Sequence, residues 1–159
     1  MKNLKQIVFV LLIAFITITF SKKIFAHCEI PCGIYEDSLR IELIKEHIFT
    51  IDKSMKMINE LSQEEVPNYN QLIRWINNKE DHAKKIQDIV SQYFLHQRVK
   101  IVEPENKESY KKYISHLSLL HELLFYSMKA KQTTDLSYIQ KLNASILDFE
   151  EEYFHTHEH

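Results

Sequence analysis

Glycine occurs once in this 159-residue chain, tryptophan once, cysteine twice and proline three times. So few turn-forming residues give strand pairing little support and argue for long helices joined by few breaks. An excess of positive charge is also missing. The first 26 residues hold Lys2, Lys5, Lys22 and Lys23 and no acid, so the rest of the chain carries 16 basic against 22 acidic residues, a formal charge of about −6. Broad nucleic-acid binding needs the opposite balance, because it works by displacing counterions from phosphates. No residue-level repeat and no low-complexity segment is present. The 133 residues beyond position 26 suffice for one core and exclude large multidomain schemes.

What is present begins with a targeting pattern. Lys2 and Lys5, the apolar run from Ile7 to Phe20 and the small residue Ala26 fit the charged, hydrophobic and cleavage regions of a signal peptide. Residues 1–26 are therefore expected to be removed by signal peptidase or another processing protease, with the product exported to the periplasm or the extracellular space. The run is short for a membrane span, which makes an uncleaved anchor the lesser alternative. Cleavage after Ala26 would make His27 the first residue and free its α-amine.

Downstream, apolar residues recur at steps of three and four. Ile41, Ile44, Ile48, Ile51, Met55 and Ile58 predict a helix over about 38–61, with Glu36, Asp37 and Ser38 supplying capping oxygens and early negative charge. Pro67 interrupts the pattern, and Leu72, Ile76, Ala83, Ile86, Val90 and Tyr93 resume it to about residue 97, with Asn68 or Asn70 as the cap. Tyr110, Ile114, Leu117, His121, Leu124 and Met128 form a third stripe, with His121 read as a core histidine. Ile139, Leu142, Ile146, Phe149 and Tyr153 form a fourth, after a break at Thr133, Thr134 and Asp135. The expected fold is all-α: an antiparallel up-and-down four-helix bundle over 36–154, preceded by a hook at 27–35 and followed by a His-rich tail at 155–159.

The hook reads His27-Cys28-Glu29-Ile30-Pro31-Cys32-Gly33-Ile34-Tyr35 and contains both cysteines and the single glycine. Pro31 restrains the chain between the thiols, and Gly33 can take the left-handed conformation that turns it away. Two thiolates with the His27 amine and the Cys28 amide nitrogen make a compact S2N2 plane, a geometry suited to Ni(II) or Cu(II), with the His27 imidazole able to reach an axial position. The competing reading is a disulfide, favoured by an oxidising compartment. A disulfide requires neither the terminal histidine nor the placed proline and glycine, so metal binding is the preferred reading.

His-Cys-x-x-Pro-Cys-Gly-x-Tyr resembles the nickel hook of nickel superoxide dismutases, and the four-helix pattern agrees with that family. The likeness is closest over 27–97 and extends more loosely over the bundle. It implies dismutation of superoxide to oxygen and hydrogen peroxide by Ni(II)/Ni(III) cycling, with one nickel ion per subunit, usually in a homohexamer. It makes the His27 amine, the Cys28 amide and the Cys28 and Cys32 sulfurs planar ligands, and the His27 imidazole the axial ligand.

The same resemblance assigns the remaining site residues. Tyr35 would line the substrate pocket and hold an anion or water without touching the metal. Pro31 matches a proline that follows a cis bond, and Glu29 stands where the family commonly has Asp. Arg40-Ile41-Glu42 resembles the opening of the family's first helix, whose Glu orients the axial imidazole; from the residues alone, Glu42 is an exposed first-turn acid. His82, within Lys79-Glu80-Asp81-His82-Ala83, could replace a basic residue behind the site or be a solvated surface histidine. His155, His157 and His159 could capture nickel weakly, although a frayed tail is the simpler account. The alternatives to a dismutase are a secreted helical metal-binding or metallochaperone protein without turnover, and a disulfide-clasped interaction module.

Overall fold

The computed structural model describes Gln6 and residues 36–154. The chain divides between Ile30 and Pro31 into two units, and everything below belongs to the second. Four helices follow in order: α1 (Asp37–Leu61), α2 (Tyr69–Asp88), α3 (Lys107–Gln132) and α4 (Ser137–Phe154). α2 runs on without a break into a π-helical segment, Ile89–Arg98. α1 packs on α2 and α4, and α3 packs on the same two helices. With short connections between successive helices, this neighbour order is that of an up-and-down bundle. Among the described residues no helix is long and apolar enough to cross a membrane.

The first stripe is buried along its whole length, from Ile41 to Ile58, and the fourth likewise from Ile139 to Tyr153. Phe94 and Phe149 meet edge to face at 5.0 Å in the centre, with Tyr153 against both. The caps are in part those expected. Asn68 accepts from the Gln71 amide and Asn106 from that of Ser109, while Asp135 accepts from the Ser137 amide after the break. At the start of α1, however, Glu36 makes no side-chain cap, and Asp37 turns elsewhere.

The third stripe and the first half of the second differ from the sequence expectation, while Ala83, Ile86, Val90 and Tyr93 of the second are buried as predicted. In α3 the fully buried positions are Leu120, Leu123, Ser127 and Ala130, and His121 is exposed rather than in the core. Adjacent apolar pairs such as Leu119–Leu120 and Leu123–Leu124 make two registers equally periodic, and the small residues set the one that lets α3 approach its neighbours. In α2 the buried register is Lys79, Ala83 and Ile86, whereas Leu72 is half-buried and Ile76 is 41% exposed. A lysine in an inward position conceals the stripe from a reading that follows apolar residues alone.

Lys79 is only 3% exposed because its ammonium group terminates another helix. Its Nζ donates to the carbonyls of Ala130, Lys131 and Thr133 at 2.7, 2.5 and 3.3 Å, at the end of α3 where backbone acceptors lack helical partners. Burial pulls its pKa down, against the weaker opposing pull of Glu80 at 3.5 Å. Lys79→Met is expected to lower the unfolding free energy by about 2–4 kcal/mol, because it strands three buried carbonyls. Urea unfolding followed by circular dichroism reads this directly.

His47 on α1 and His82 on α2 meet edge-on at 4.9 Å, so His82 is half-buried rather than solvated. Each Nδ1 is buried and has no hydrogen-bond partner among the described residues. Burial, the partner imidazole and Lys85 push the pKa of His47 down against Glu46; burial and Lys85 push that of His82 down against Asp81 and Glu46. Below the ordinary value of 6.5 the unfolded chain therefore takes up protons before the folded one, and stability falls as pH falls. His82→Gln is expected to flatten this decline, as measured by urea midpoints on either side of pH 6.5.

Candidate active site at the root of the hook

His27, Cys28, Glu29, Pro31, Cys32 and Tyr35 lie outside the described residues, as do the segment 1–26 apart from Gln6 and the tail 155–159. The described part begins at Glu36 and shows how the chain leaving the hook is held. In the first turn of α1, Asp37 accepts from the Tyr93 hydroxyl at 2.5 Å and the Tyr153 hydroxyl at 2.7 Å. Arg98 donates to the same carboxylate through Nε at 3.1 Å and a terminal nitrogen at 2.6 Å. One side chain thus ties the start of α1 to the π-helical segment and to the end of α4.

The local backbone explains how these partners converge. In the π-helical segment the amide of Val99 bonds to the carbonyl of Phe94, five residues back. The wider turn places adjacent Tyr93 and Phe94 both inward and brings Arg98, five residues on from Tyr93, to the same carboxylate. Arg40 lies over the Tyr93 ring at 5.3 Å, and His116 of α3 packs against Tyr153 at 5.8 Å.

Electrostatics fix the charge states. Burial alone would raise the Asp37 pKa, but the bonds from Tyr93, Arg98 and Tyr153 outweigh it and hold the carboxyl below its ordinary value of 3.8. Burial and the Asp37 carboxylate push Tyr153 up to about 12, and Tyr93 upward by the same causes. Both phenols therefore remain donors to Asp37 at neutral pH and are unsuited to passing protons.

Of the predicted site residues only Glu42 is described. It is exposed, and its Oε1 accepts from Lys45 at 2.8 Å, while Lys45 also pairs with Glu150 at 2.7 Å. Among the described residues no group of three histidines, cysteines or acids could hold a metal ion. A sequence profile of the family described as nickel-containing superoxide dismutase matches residues 22–157, and so takes in both the hook and the bundle.

The chain belongs to the nickel-containing superoxide dismutases. It is accordingly an oxidoreductase that uses nickel to dismutate superoxide. No curated protein and no solved structure matches it. In this nickel-containing superoxide dismutase the cysteine-bearing segment precedes a helix whose first turn is tied by Asp37 to Tyr93, Arg98 and Tyr153. The Asp37 cluster was not legible from the sequence, where Asp37 passed for a capping acid and Tyr93 and Tyr153 for core residues.

Proposed function

We propose that cleavage after Ala26 creates the nickel site, by giving His27 a free α-amine beside the two thiols. The observation that supports this is the family match over residues 22–157, a span that includes His27, Cys28, Pro31, Cys32 and Tyr35, while no group of three histidines, cysteines or acids that could hold a metal is found among the described residues. The donor set fits the metal: soft thiolates with amine, amide and imidazole nitrogens suit nickel in a planar site with an axial position. The His27 amine and imidazole, the Cys28 amide nitrogen and the Cys28 and Cys32 sulfurs would hold the nickel. Bound nickel supplies a one-electron Ni(II)/Ni(III) couple that superoxide can both reduce and oxidise.

The other residues position and protect. Tyr35 holds superoxide or water through its hydroxyl, and that hydroxyl, a protonated cysteine sulfur or water delivers the protons that peroxide formation needs. Pro31 and Glu29 shape the loop between the sulfurs. Glu42 orients the imidazole of His27: Lys45 occupies only Oε1 among the described residues, which leaves Oε2 able to accept an N–H. The enzyme works after export, outside the cytoplasm, as a homo-oligomer of the hexameric type. The exposed apolar residues Tyr69, Ile73 and Ile76, spaced along α2, suit contact with a second copy.

Electron paramagnetic resonance on processed, nickel-loaded protein tests this, paired with superoxide decay on the same sample. A rhombic Ni(III) signal split by one axial nitrogen, together with catalytic decay, is the expected result. Protein that starts at His27 with free thiols and shows neither would return the hook to a metal-carrying or disulfide role.

A further inference from the structure

Where the end of the π-helical segment, the first turns of α3 and the end of α4 meet, a cleft of about 540 Å³ opens. Its walls carry Arg98, Lys100 and Lys112 beside Tyr113, His116 and Tyr153, and no carboxylate among the described residues. This is a local reversal in a chain whose residues beyond position 26 are mostly acidic in balance. The adjoining cleft that shares Lys112 is lined by Glu108, Asp148, Glu151 and Glu152. Arg98 is neutralised by Asp37, but Lys100 and Lys112 form no ion pair with any described residue.

The cleft shares Arg98 and Tyr153 with the Asp37 cluster, at the root of the hook. Five peptide units join Cys32 to Asp37, and at ~3.6 Å per residue they can span no more than about 18 Å. We propose that this cleft is the entry for superoxide, with Lys100 and Lys112 drawing the small monovalent anion towards the hook; this rests on the hook being the reaction centre. The overall negative charge repels an anion at long range, so capture depends on cations that act within the ~8–10 Å over which salt leaves a field intact. A cleft lined by one sign of charge focuses that field and raises the encounter rate.

A second cationic groove supplies the control. Lys53 and Arg74 lie between α1 and α2 with no acid in the lining. Lys53 is sixteen positions along α1 from Asp37, which at ~1.5 Å per residue is about 24 Å.

The test has two arms on the full processed chain. In nickel-free protein, azide is titrated while the ring resonances of His116 and Tyr113 are followed by NMR. Saturable shifts are expected in the wild type and in Lys53→Gln/Arg74→Gln, and their loss in Lys100→Gln/Lys112→Gln. In nickel-loaded protein, Lys100→Glu/Lys112→Glu is expected to lower kcat/KM about tenfold at low ionic strength with kcat unchanged, a gap that closes as salt is added. Wild-type rings that ignore azide, or a kcat/KM indifferent to the charge reversal, would overturn the proposal. Azide binding in the cleft without superoxide turnover by the nickel-loaded wild type would instead place the fault in the reading of the hook.

Discussion

Cys28→Ser and Cys32→Ser are each expected to abolish nickel retention and superoxide turnover while leaving the helices in place. Removing an outer partner of a metal ligand already costs ~10–100-fold in affinity or activity, and a hydroxyl in place of a thiolate removes a planar donor itself. On the proposed ligand set an electronic loss adds to this, since thiolate charge would bring an oxidised nickel within reach of superoxide. The bundle should not notice. Among the described residues its buried cluster runs from Ile41 to Tyr153 and is built from the four helices and the π-helical segment that continues α2. Metal analysis, circular dichroism and stopped-flow superoxide decay on one preparation decide the matter. One nickel per chain with turnover intact in either variant would defeat the ligand assignment.

Asp37→Ala is expected to be the most damaging single change near the start of α1. It strands the Arg98 guanidinium and leaves the Tyr93 and Tyr153 hydroxyls without their acceptor. Breaking a fully buried pair costs ~3–5 kcal/mol; with side chains 12% exposed at Asp37 and 31% at Arg98, about 2–4 kcal/mol is the expectation. Asp37→Asn keeps the shape but not the charge, and should lie between the variant and the wild type.

The pH dependence separates this contribution from that of the histidine pair. Because the folded Asp37 pKa lies below 3.8, its stabilisation is complete above that value and disappears as pH falls through the folded one. Urea unfolding in strong acid should therefore show the wild type converging on Asp37→Asn. A gap between the two that persisted undiminished into acid would show that the carboxylate's charge contributes nothing.

Periodicity disclosed the helices and two of their four buried faces, because the stripes of α1 and α4 consist of large apolar residues with few rivals on the adjoining faces. It failed where burial is not apolar. Lys79 is inward because α3 ends beside it, a tertiary circumstance that no local pattern encodes. Ser127 and Ala130 are inward because they are small, which a search for large residues passes over. The hook residues proposed as ligands were singled out for the opposite reason, since their chemistry is concentrated in nine consecutive positions, all outside the described residues. The anchoring cluster joins positions 37, 93, 98 and 153, and only the fold brings those together.

The π-helical segment carries one more consequence, and it concerns length rather than composition. Over Ile89–Arg98 the chain uses more residues per turn than an α-helix would. Deleting a single residue there would let the segment relax into the commoner helix while barely changing its hydrophobicity. The phase of everything after the deletion would shift, carrying the guanidinium round the axis and away from its carboxylate. This stretch can therefore accept many exchanges of one residue for another but not a change in their number, as a thread tolerates a change of metal but not of pitch.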